Sequence, residues 1–586
     1  MAAQPTESPN QKEWGFKKRL TSYGDKDFAL FLRKAFIKGA GYSSDALDCP
    51  IVGIIDTGSG YNPCHGNVPQ LIEAIKRGVM LEGALPVEFP TVSLHESFAH
   101  PTSMWLRNLM SMDTEEMLKA QPMDAVVMIG GCDKTVPAQL MGALSANIPS
   151  VQLVTGSMLT GSHGGKRVGA CTDCRAYWAR YRAGEVDEVE IEEVNSQLVA
   201  SVGTCSVMGT ASTMACVAEA LGMAPLGSAS PPAPTAARMR VAERCGRLAA
   251  TVLLEDGKKP RDILQKKNFE NAMRMLLAIG GSTNGVIHIT AIAGRMGIKL
   301  DLQDFDKLGE TTPVLVDLKP SGMNYMEDFH RAGGVPRVLH ELRDRIHLDA
   351  LTVTGRTLGE DLAAYHGLDF EQSIIRSVSS PIYPTGGLVP LFGTLAPKGA
   401  LIKVSAASPA LLESRARAVV FTSAADMATR IDSPKLDVSE SDILVLQNIG
   451  PIGGPGMPEA GLLPIPKKLA RKGVKDMLRI SDGRMSGTAG GSIVLHVSPE
   501  AALGGPLALV RTGDEIEISV KERRLDLCIS EDEMAARKQE WSERHQGQLE
   551  AKRARRGYEG LYMREVTGAE DGCDFRFLSG EWIEST

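Results

Sequence analysis

Short apolar runs that end in glycine-rich loops alternate with longer segments of helical periodicity from about residue 45 to residue 310. Examples are IVGII before DTGSGYNPCHGN, DAVVMIGG before CDKTVPAQLMGAL, and IPSVQLVTG. Such runs are typical of strands that are buried on both faces, and their alternation with helices predicts an α/β domain with a parallel sheet flanked by helices. Ligands of such sheets gather at the carboxyl ends of the strands, so the residues after each run are the first candidates for chemistry.

The pattern changes after about residue 380, where short strand-like segments are separated by Gly and Pro. They include GGLVPLFGTLAPKGALIKVS, DILVLQNIG, DMLRISDG, SIVLHVS and LALVRTGDEIEISV. This pattern predicts a second, β-rich domain resembling a barrel. A chain of 586 residues is too long for one ordinary core, and we place the boundary near EQSIIRSVSSPIYPTGG. The predicted domains are residues 1–379 and residues 380–586.

The amino-acid composition limits which partners and which cellular compartment are expected for the protein. The chain has 64 Lys and Arg against 71 Asp and Glu, a net charge of −7, without a sustained basic cluster, so nucleic acid is not expected as a partner. No apolar stretch approaches the roughly 18 to 20 residues that span a bilayer, and the first residues lack the apolar core of a signal peptide. The ten cysteines are scattered, which favours thiols or metal ligands over a disulfide framework. We expect a cytoplasmic protein without a membrane partner.

Three cysteines lie in loops of glycine and small polar residues: Cys64 in NPCHGN, Cys132 in IGGCDKT and Cys205 in VGTCSVMGTAS. Small neighbours allow inorganic sulfur to approach the backbone, and thiolates hold iron–sulfur clusters. Three thiolates would leave one iron position open, which Lewis-acid catalysis requires. On spacing alone, buried structural cysteines remain the alternative.

Hard ligands lie beside these thiols. Asp133 and Lys134 follow Cys132 directly, and Glu96 lies in SLHESF after the apolar run FPTVSL. Carboxylates suit Mg²⁺, whereas a lysine could bind a metal only after reaction with CO₂ to a carbamate. The alternatives are a surface or helix-capping role for each of these three residues, and a role as Schiff-base nucleophile for Lys134.

Two glycine-rich loops of the second domain, NIGPIGGPGMPEAG and RISDGRMSGTAGGS, lack the spacing of a nucleotide-binding P-loop. They offer Glu459 as a carboxylate and Ser486 as a hydroxyl, although a serine among glycines is often a turn residue. The CTDC motif at Cys171 to Cys174 has no second CxxC, so structural zinc or a thioredoxin-like role is weakly supported.

Taken together, NPCHGN, GGCDKT, GTCSVMGTASTM, GGSTN, DLKPSG, GPGMPE and SDGRMSG, in this order from residue 62 to residue 487, resemble the dihydroxy-acid and sugar-acid dehydratase family. The resemblance implies an α/β domain followed by a barrel-like domain, and a homodimer or homotetramer. It also implies a hydro-lyase that removes water from a 2,3-dihydroxy acid to give a 2-keto-3-deoxy acid.

The resemblance assigns roles to the matching residues. It implies a 2Fe-2S cluster held by Cys64, Cys132 and Cys205, with one iron open to substrate. It implies Mg²⁺ held by Glu96, Asp133, Lys134 as its carbamate, and Glu459, with Ser486 as the catalytic base. CTDC falls outside this cluster, and His65, His95 and Asn284 receive no role.

The substrate predicted from the resemblance is a polyhydroxy acid. SLHESFAHPTSMWLRNLM and GTCSVMGTASTM are more similar to the sugar-acid branch, because residues 206–209 lack the aromatic that branched-chain enzymes tend to carry, which would leave more room. The alternative is 2,3-dihydroxyisovalerate, with dual activity open, and a phosphorylated gluconate is disfavoured because no basic cluster is evident. Two other classes are a Schiff-base aldolase acting through Lys134 and a non-catalytic iron–sulfur or zinc protein that uses CTDC.

Overall fold

The computed structural model describes residues 13–20, 23–255 and 257–579. The outer ends of the two predicted domains, residues 1–12 and 580–586, lie outside the described residues. Among the described residues, no helix combines the length and the apolar composition that crossing a bilayer requires.

A four-stranded parallel sheet forms the centre of the first domain and confirms the predicted α/β class. Its strands are β1 Ile51–Asp56, β2 Leu85–Pro90, β3 Ala125–Gly130 and β4 Ser150–Val154, in the spatial order β2-β1-β3-β4. Every residue of β3 and β4 is buried, which explains their continuous apolar runs. The carboxyl ends of β1, β3 and β4 therefore lie side by side.

The rest of the first domain is mainly helical, although the sequence pattern extends the alternation to about residue 310. A hairpin of β5 Gly161–His163 and β6 Lys166–Val168 is its other regular sheet. The helices of this domain are α1 Lys26–Gly39, α2 Val68–Leu81, α3 Arg107–Ala120, α4 Thr135–Ala146, α5 Thr172–Ala183, α6 Glu188–Gln197, α7 Thr210–Ala220, α8 Ala236–Ala250, α9 Val252–Glu255, α10 Pro260–Ile263, α11 Lys266–Ala278, α12 Asn284–Gly294, α13 Leu302–Glu310, α14 Met326–Arg331, α15 Gly334–Glu341 and α16 Leu358–Ala363. All residues of α7 are buried, the polar ones included, so this helix packs inside the core and its sequence does not alternate between a buried and an exposed face.

An eight-stranded sheet forms the second domain, in the order β14-β13-β9-β10-β11-β12-β8-β7. The strands are β7 Val389–Leu391, β8 Gly399–Ile402, β9 Glu413–Phe421, β10 Ile443–Leu446, β11 Arg479–Ser481, β12 Ile493–Ser498, β13 Glu515–Ser519 and β14 Arg524–Leu527. The four central strands are parallel and the outer ones antiparallel. A bridge between Phe392 and Arg524 brings the two outer strands together, so the sheet is a nearly closed barrel, as predicted.

Four helices accompany the barrel: α17 Ala424–Arg430, α18 Lys467–Ala470, α19 Glu531–Arg553 and α20 Gly557–Glu565. The described chain between α16 and β7 contains neither an α-helix nor a β-strand. The predicted division between residues 379 and 380 falls within this stretch.

Candidate active site

The loops that carry Cys64 and Cys132 meet at the carboxyl edge of the parallel sheet. Cys64 lies in a 3₁₀ turn after β1, and Cys132 follows β3 directly. The Thr155 hydroxyl, just beyond β4, donates to the Cys64 carbonyl at 2.8 Å. Because β1, β3 and β4 are close neighbours, the topology itself brings these two thiols together.

Cys205 reaches the same place through a short backbone pairing beyond β4. The Thr204 amide donates to the Gly156 carbonyl at 2.9 Å, and the Met158 amide donates to the Thr204 carbonyl at 2.8 Å. A hydrogen bond with Cys132, followed by burial and the charge of Cys205, raises the pKa of the Cys64 thiol well above its usual range. The structure thus brings the three sequence-predicted cysteines into one group, where a positive centre would be needed to hold them as thiolates.

Two histidines without a role in the sequence analysis belong to this group. A ring nitrogen of His95 and the sulfurs of Cys64 and Cys132 lie within 4.8 Å of one another. His95 is reached by a loop, since β2 ends at Pro90 and the run FPTVSL does not continue as strand up to Glu96. The sequence pattern therefore did not indicate that a nitrogen of His95 lies beside the thiols, because the segment before it is irregular.

His65 holds the two cysteine loops together. Its Nε2 accepts from the Gly131 amide at 2.9 Å and from the Cys132 amide at 3.0 Å. Its Nδ1 donates to the Thr57 carbonyl at 2.8 Å, which fixes the tautomer. Burial lowers the pKa of His65 to about 4, so the ring is neutral. His65 is a positioning residue for the thiol group.

Beside the thiols lies the acidic group of Glu96, Asp133 and Glu459, which have carboxylate oxygens within 4.8 Å of one another. Lys134 is 1% exposed and directs its Nζ among them, 3.2 Å from Glu96, in contact with Asp133, and 3.9 Å from Glu459. Glu459 comes from the second domain and the others from the first. The structure therefore assembles all four predicted Mg²⁺ ligands at one point between the domains.

Arg484, in the SDGRMSG loop, is a further cation of this group that sequence reasoning missed. Its guanidinium lies 2.7 Å from Glu459 and 3.4 Å from Glu96, and it donates to the Thr102 hydroxyl at 2.8 Å. Burial alone would raise the pKa of Glu96, but Lys134 and Arg484 outweigh it and hold this pKa well below its usual range. The sequence feature that could have indicated Arg484 is an arginine in a glycine-rich loop directly after a strand.

The same loop carries Ser486, and hydrogen bonds hold the residues before and after this serine. The Ser486 hydroxyl shares a hydrogen bond of 2.8 Å with the Thr488 hydroxyl. Asn284, from the GGSTN motif, donates to the Met485 carbonyl at 3.1 Å and lies 3.5 Å from Glu459. A side chain on Gly487 would collide with Ser282, at 2.6 Å from its hydroxyl, so only glycine allows this close approach.

The CTDC motif also reaches the site, although the sequence analysis left it outside the cluster. Cys171 Sγ lies 3.4 Å from Cys205 Sγ. The neighbouring Thr172 hydroxyl donates to the Thr488 carbonyl at 2.9 Å, which joins the motif to the loop of Ser486. The spacing of CTDC along the chain indicates neither contact, because the first joins distant loops of the first domain and the second crosses to the second domain.

Thiols, carboxylates and a buried lysine lie between an α/β domain and a barrel, with Ser486 on the same loop as Arg484, and together they form a candidate enzyme site whose donor atoms are those that metal ions use. Comparison with known proteins identifies the family. Residues 49–361 match the dihydroxy-acid/6-phosphogluconate dehydratase N-terminal family, and residues 373–573 match the corresponding C-terminal family. The chain belongs to this dehydratase family of hydro-lyases, as the motifs predicted.

The relatives of the chain include dehydratases whose names give different substrates. The chain is 44% identical over 572 residues to L-arabinonate dehydratase of Rhizobium leguminosarum bv. trifolii, covering 97% of each chain. It is 42% identical to 6-deoxy-6-sulfo-D-gluconate dehydratase of Pseudomonas putida, covering 91% of each. It is 38% identical to dihydroxy-acid dehydratase of Syntrophobacter fumaroxidans, covering 93% of this chain and 96% of that one.

Proposed function

We propose that the protein dehydrates an aldonic sugar acid to a 2-keto-3-deoxy acid, using a 2Fe-2S cluster and Mg²⁺. The observation that carries this proposal is the convergence of two different donor groups, a thiol group and an acidic group, to which Arg484 attaches the loop of Ser486. The groups are Cys64, Cys132 and Cys205, and Glu96, Asp133, Lys134 and Glu459.

The donor chemistry fits both groups. Thiolate sulfur is the ligand of iron–sulfur clusters, and the buried thiols would be costly as unneutralised thiolates. Carboxylate oxygen is the ligand that Mg²⁺ prefers. As an ammonium, Lys134 neutralises part of the acidic group; as a carbamate it would add a negative charge instead. Only Arg484 would then oppose four anionic side chains, and a divalent cation would be needed to balance them.

The two inorganic groups, when bound, would supply Lewis acidity for the departing 3-hydroxyl and for the negative charge that develops at the carboxylate and C2 oxygen. The side chains would supply the rest. Ser486 would take the C2 proton, and Thr488, 2.8 Å away, holds its hydroxyl in place. Serine is a weak base, so this role requires cationic surroundings that stabilise its alkoxide. Arg484, two residues away, fixes the loop to the acidic group.

The sugar-acid substrate is supported by the identities: 44% to the L-arabinonate dehydratase against 38% to the dihydroxy-acid dehydratase. The pocket-size reasoning needs one refinement. Ser206 is buried, its hydroxyl donates to the Ala170 carbonyl at 3.4 Å, and a side chain on Gly169 would lie 2.1 Å from it. Residues 169 and 170 therefore lie against Ser206, so a larger side chain at position 206 would displace the segment before CTDC.

The test is an anaerobic assay with Mg²⁺ that measures 2-keto acid release from L-arabinonate, other pentonates, hexonates, 6-deoxy-6-sulfo-D-gluconate and 2,3-dihydroxyisovalerate. Faster turnover of a sugar acid is expected. Preference for 2,3-dihydroxyisovalerate would favour the branched-chain alternative. Borohydride trapping of a keto acid on Lys134, with no dehydration of any acid, would favour the aldolase alternative.

Ser486→Ala is expected to abolish turnover while iron, sulfide and Mg²⁺ contents stay at the wild-type level, because only the base is lost. Thr488→Ser is the matched control, since it keeps a hydroxyl beside Ser486 and should retain activity. Steady-state release of 2-keto acid, measured beside metal analysis, checks both variants. Full activity of Ser486→Ala would remove this residue from the reaction.

We also propose self-association, as a homodimer or homotetramer, in the cytoplasm, where thiols stay reduced. The exposed aromatic side chains of α1 support an association surface: Phe31 is 65% exposed and Phe36 is 76% exposed. Light scattering of the wild type and of a Phe31→Ser, Phe36→Ser variant tests this surface; a monomeric wild type would contradict it.

A further inference from the structure

Two buried carboxyl groups of the barrel, Glu500 and Asp482, hold the loop that leads to Glu459. Glu500 lies just after β12 and Asp482 directly after β11, and they are 5% and 1% exposed. Asp482 accepts from the Ile449 amide at 3.0 Å and from the Ala501 amide at 2.8 Å, so it joins the start of the loop to the residue after Glu500. Neither carboxyl group belongs to the acidic group, and burial of such a group is costly unless it is hydrogen-bonded.

Glu500 binds the backbone in the first half of this loop, residues 449–459. Its carboxylate accepts from the Ile452 amide at 3.0 Å and from the Gly453 amide at 2.9 Å. A Cβ on Gly450 would lie 2.6 Å from a carboxylate oxygen of Glu500, so only glycine allows the backbone to approach this closely. Glu500 therefore fixes the path of the backbone in this half of the loop.

The second half of the loop contacts the acidic group in two ways. It carries Glu459, which lies 2.7 Å from Arg484. It also packs against the support of Glu96: a Cβ on Gly456 would lie 2.6 Å from the methyl carbon of Thr102, and the Thr102 hydroxyl donates to Glu96 at 2.6 Å. A shift of the loop would therefore move Glu459 directly and Glu96 through Thr102.

We propose that Glu500 is a positioning residue for the Mg²⁺ site: it holds loop 449–459 in the path that places Glu459, and through Thr102 also Glu96, in the acidic group. This inference rests on the proposed function, because it presupposes Mg²⁺ at that group. Partners outside the ligand shell orient the ligands, and their loss typically weakens metal binding by about 10- to 100-fold. Removal of the Glu500 carboxyl group should therefore weaken the site although every proposed ligand stays in the chain.

The experiment uses Mn²⁺ as the probe for Mg²⁺ and measures its binding by the loss of the EPR signal of free Mn²⁺. The protein is reconstituted anaerobically in the presence of bicarbonate, so that Lys134 can form its carbamate. Glu500→Ala removes the acceptor oxygens. Burial, followed by the charge of Asp482, raises the pKa of Glu500 to about 8, so the native group is mostly a neutral acid at pH 7. Glu500→Gln is therefore the conservative variant, because its side-chain oxygen can accept from the same amides.

Glu219 provides the matched control. It is also a buried carboxyl group that accepts from two backbone amides, those of Gly227 at 2.6 Å and Ala229 at 2.7 Å. It lies near the end of α7 and belongs to neither donor group. Glu219→Ala should therefore lower the thermal-unfolding midpoint, as Glu500→Ala does, but leave the Mn²⁺ affinity at the wild-type value.

Glu500→Ala is expected to bind Mn²⁺ about 10- to 100-fold more weakly than the wild type. Hydrogen–deuterium exchange of the peptide containing Ile452 and Gly453 should become faster in this variant, and Glu500→Gln should restore most of both properties. Gly450→Ala is a second variant, in case Glu500→Ala does not fold. It keeps the carboxyl group, but its methyl group would lie 2.6 Å from a carboxylate oxygen and displace it, so weaker Mn²⁺ binding is expected again. Circular dichroism verifies folding of each variant.

Three results would overturn the inference and are distinguishable from failure of the proposed function. The first is wild-type Mn²⁺ affinity in folded Glu500→Ala or, if that variant does not fold, in Gly450→Ala. The second is equal weakening in Glu219→Ala, which would make general loss of stability the cause. The third is a Glu500→Gln variant as weak as Glu500→Ala, because hydrogen bonds to the loop would then not position the site. By contrast, a folded wild type that binds no Mn²⁺ would refute the Mg²⁺ site of the proposed function itself.

Discussion

Replacement of His65 by leucine should loosen the two loops that carry Cys64 and Cys132. His65 is 1% exposed and its neutral ring serves three backbone groups. Nε2 accepts from the amides of Gly131 and Cys132, and Nδ1 donates to the carbonyl of Thr57. Leucine has a similar volume but no polar atom, so these groups would be left buried without their partner.

The magnitude follows from the two amides alone. Leaving a buried donor unsatisfied costs about 1–3 kcal/mol, so the two amides together lose about 2–6 kcal/mol of local stability. A domain is stable by only about 5–15 kcal/mol, so this is a large local effect. It corresponds to opening of the Gly131–Cys132 segment that is roughly 30-fold to 10⁴-fold more frequent.

Hydrogen–deuterium exchange of the peptide containing Gly131 and Cys132 is the direct assay, together with iron content after reconstitution. His65→Leu should exchange faster by the factor above and bind less iron. His65→Gln should recover part of both, since its Oε1 can accept from the same amides. His340→Leu, at an exposed histidine of α15, is the control and should match the wild type. Wild-type exchange in His65→Leu would refute the positioning role.

Two further predictions concern buried cations. Arg484→Met should lower the free energy of unfolding by about 3–5 kcal/mol, because Glu459 and Glu96 lose a buried cationic partner. The control is Arg415→Met at an exposed ion pair, which should lower it by about 1 kcal/mol or less in the same urea titration. Equal effects of the two substitutions would contradict the reasoning. Burial lowers the pKa of Lys403 from 10.5 to about 7, and its Nζ has no hydrogen-bond partner among the described residues. The unfolded chain therefore binds a proton between pH 7 and 10.5 that the folded chain does not, so stability rises with pH in this window. Lys403→Met should remove that slope and stabilise the protein at pH 7 by up to about 5 kcal/mol, and a thermal-unfolding midpoint with an unchanged pH profile would contradict this.

The fold could be predicted from the sequence at those strands where burial on both faces produces a continuous apolar run. IVGII, AVVMIG and SVQLV are continuous apolar runs because both faces of the parallel sheet are covered, and each became a strand. The pattern failed after Val154, where α7 and α12 are buried all round. A helix buried on nearly every side has no solvent-exposed face, so the spacing of its apolar residues carries little information.

The candidate site could be predicted only in its motif-bearing part. Cys64 and Cys132 follow strands that are neighbours in the sheet, so sheet topology alone brings them near one another. Cys171 and Cys205 meet through a turn, a short backbone pairing and a contact with the second domain. Hydrophobic periodicity does not predict contacts of this kind, and the family resemblance assigned no role to CTDC.

The placement of Ser486 depends on electrostatics between the domains rather than on its own loop. Asp482, at the base of this loop, accepts from the amides of Ile449 and Ala501 and so attaches the loop to the barrel. Arg484 attaches the same loop to the first domain through Glu96 and Thr102. One barrel loop therefore carries both Arg484, a cation of the acidic group, and the Ser486 hydroxyl two residues further on. Because Arg484 and Ser486 are two residues apart, the ion pairs of Arg484 limit how far the Ser486 hydroxyl can lie from the acidic group. The basicity that the proposed reaction demands of Ser486 is consequently a property of the assembled domains.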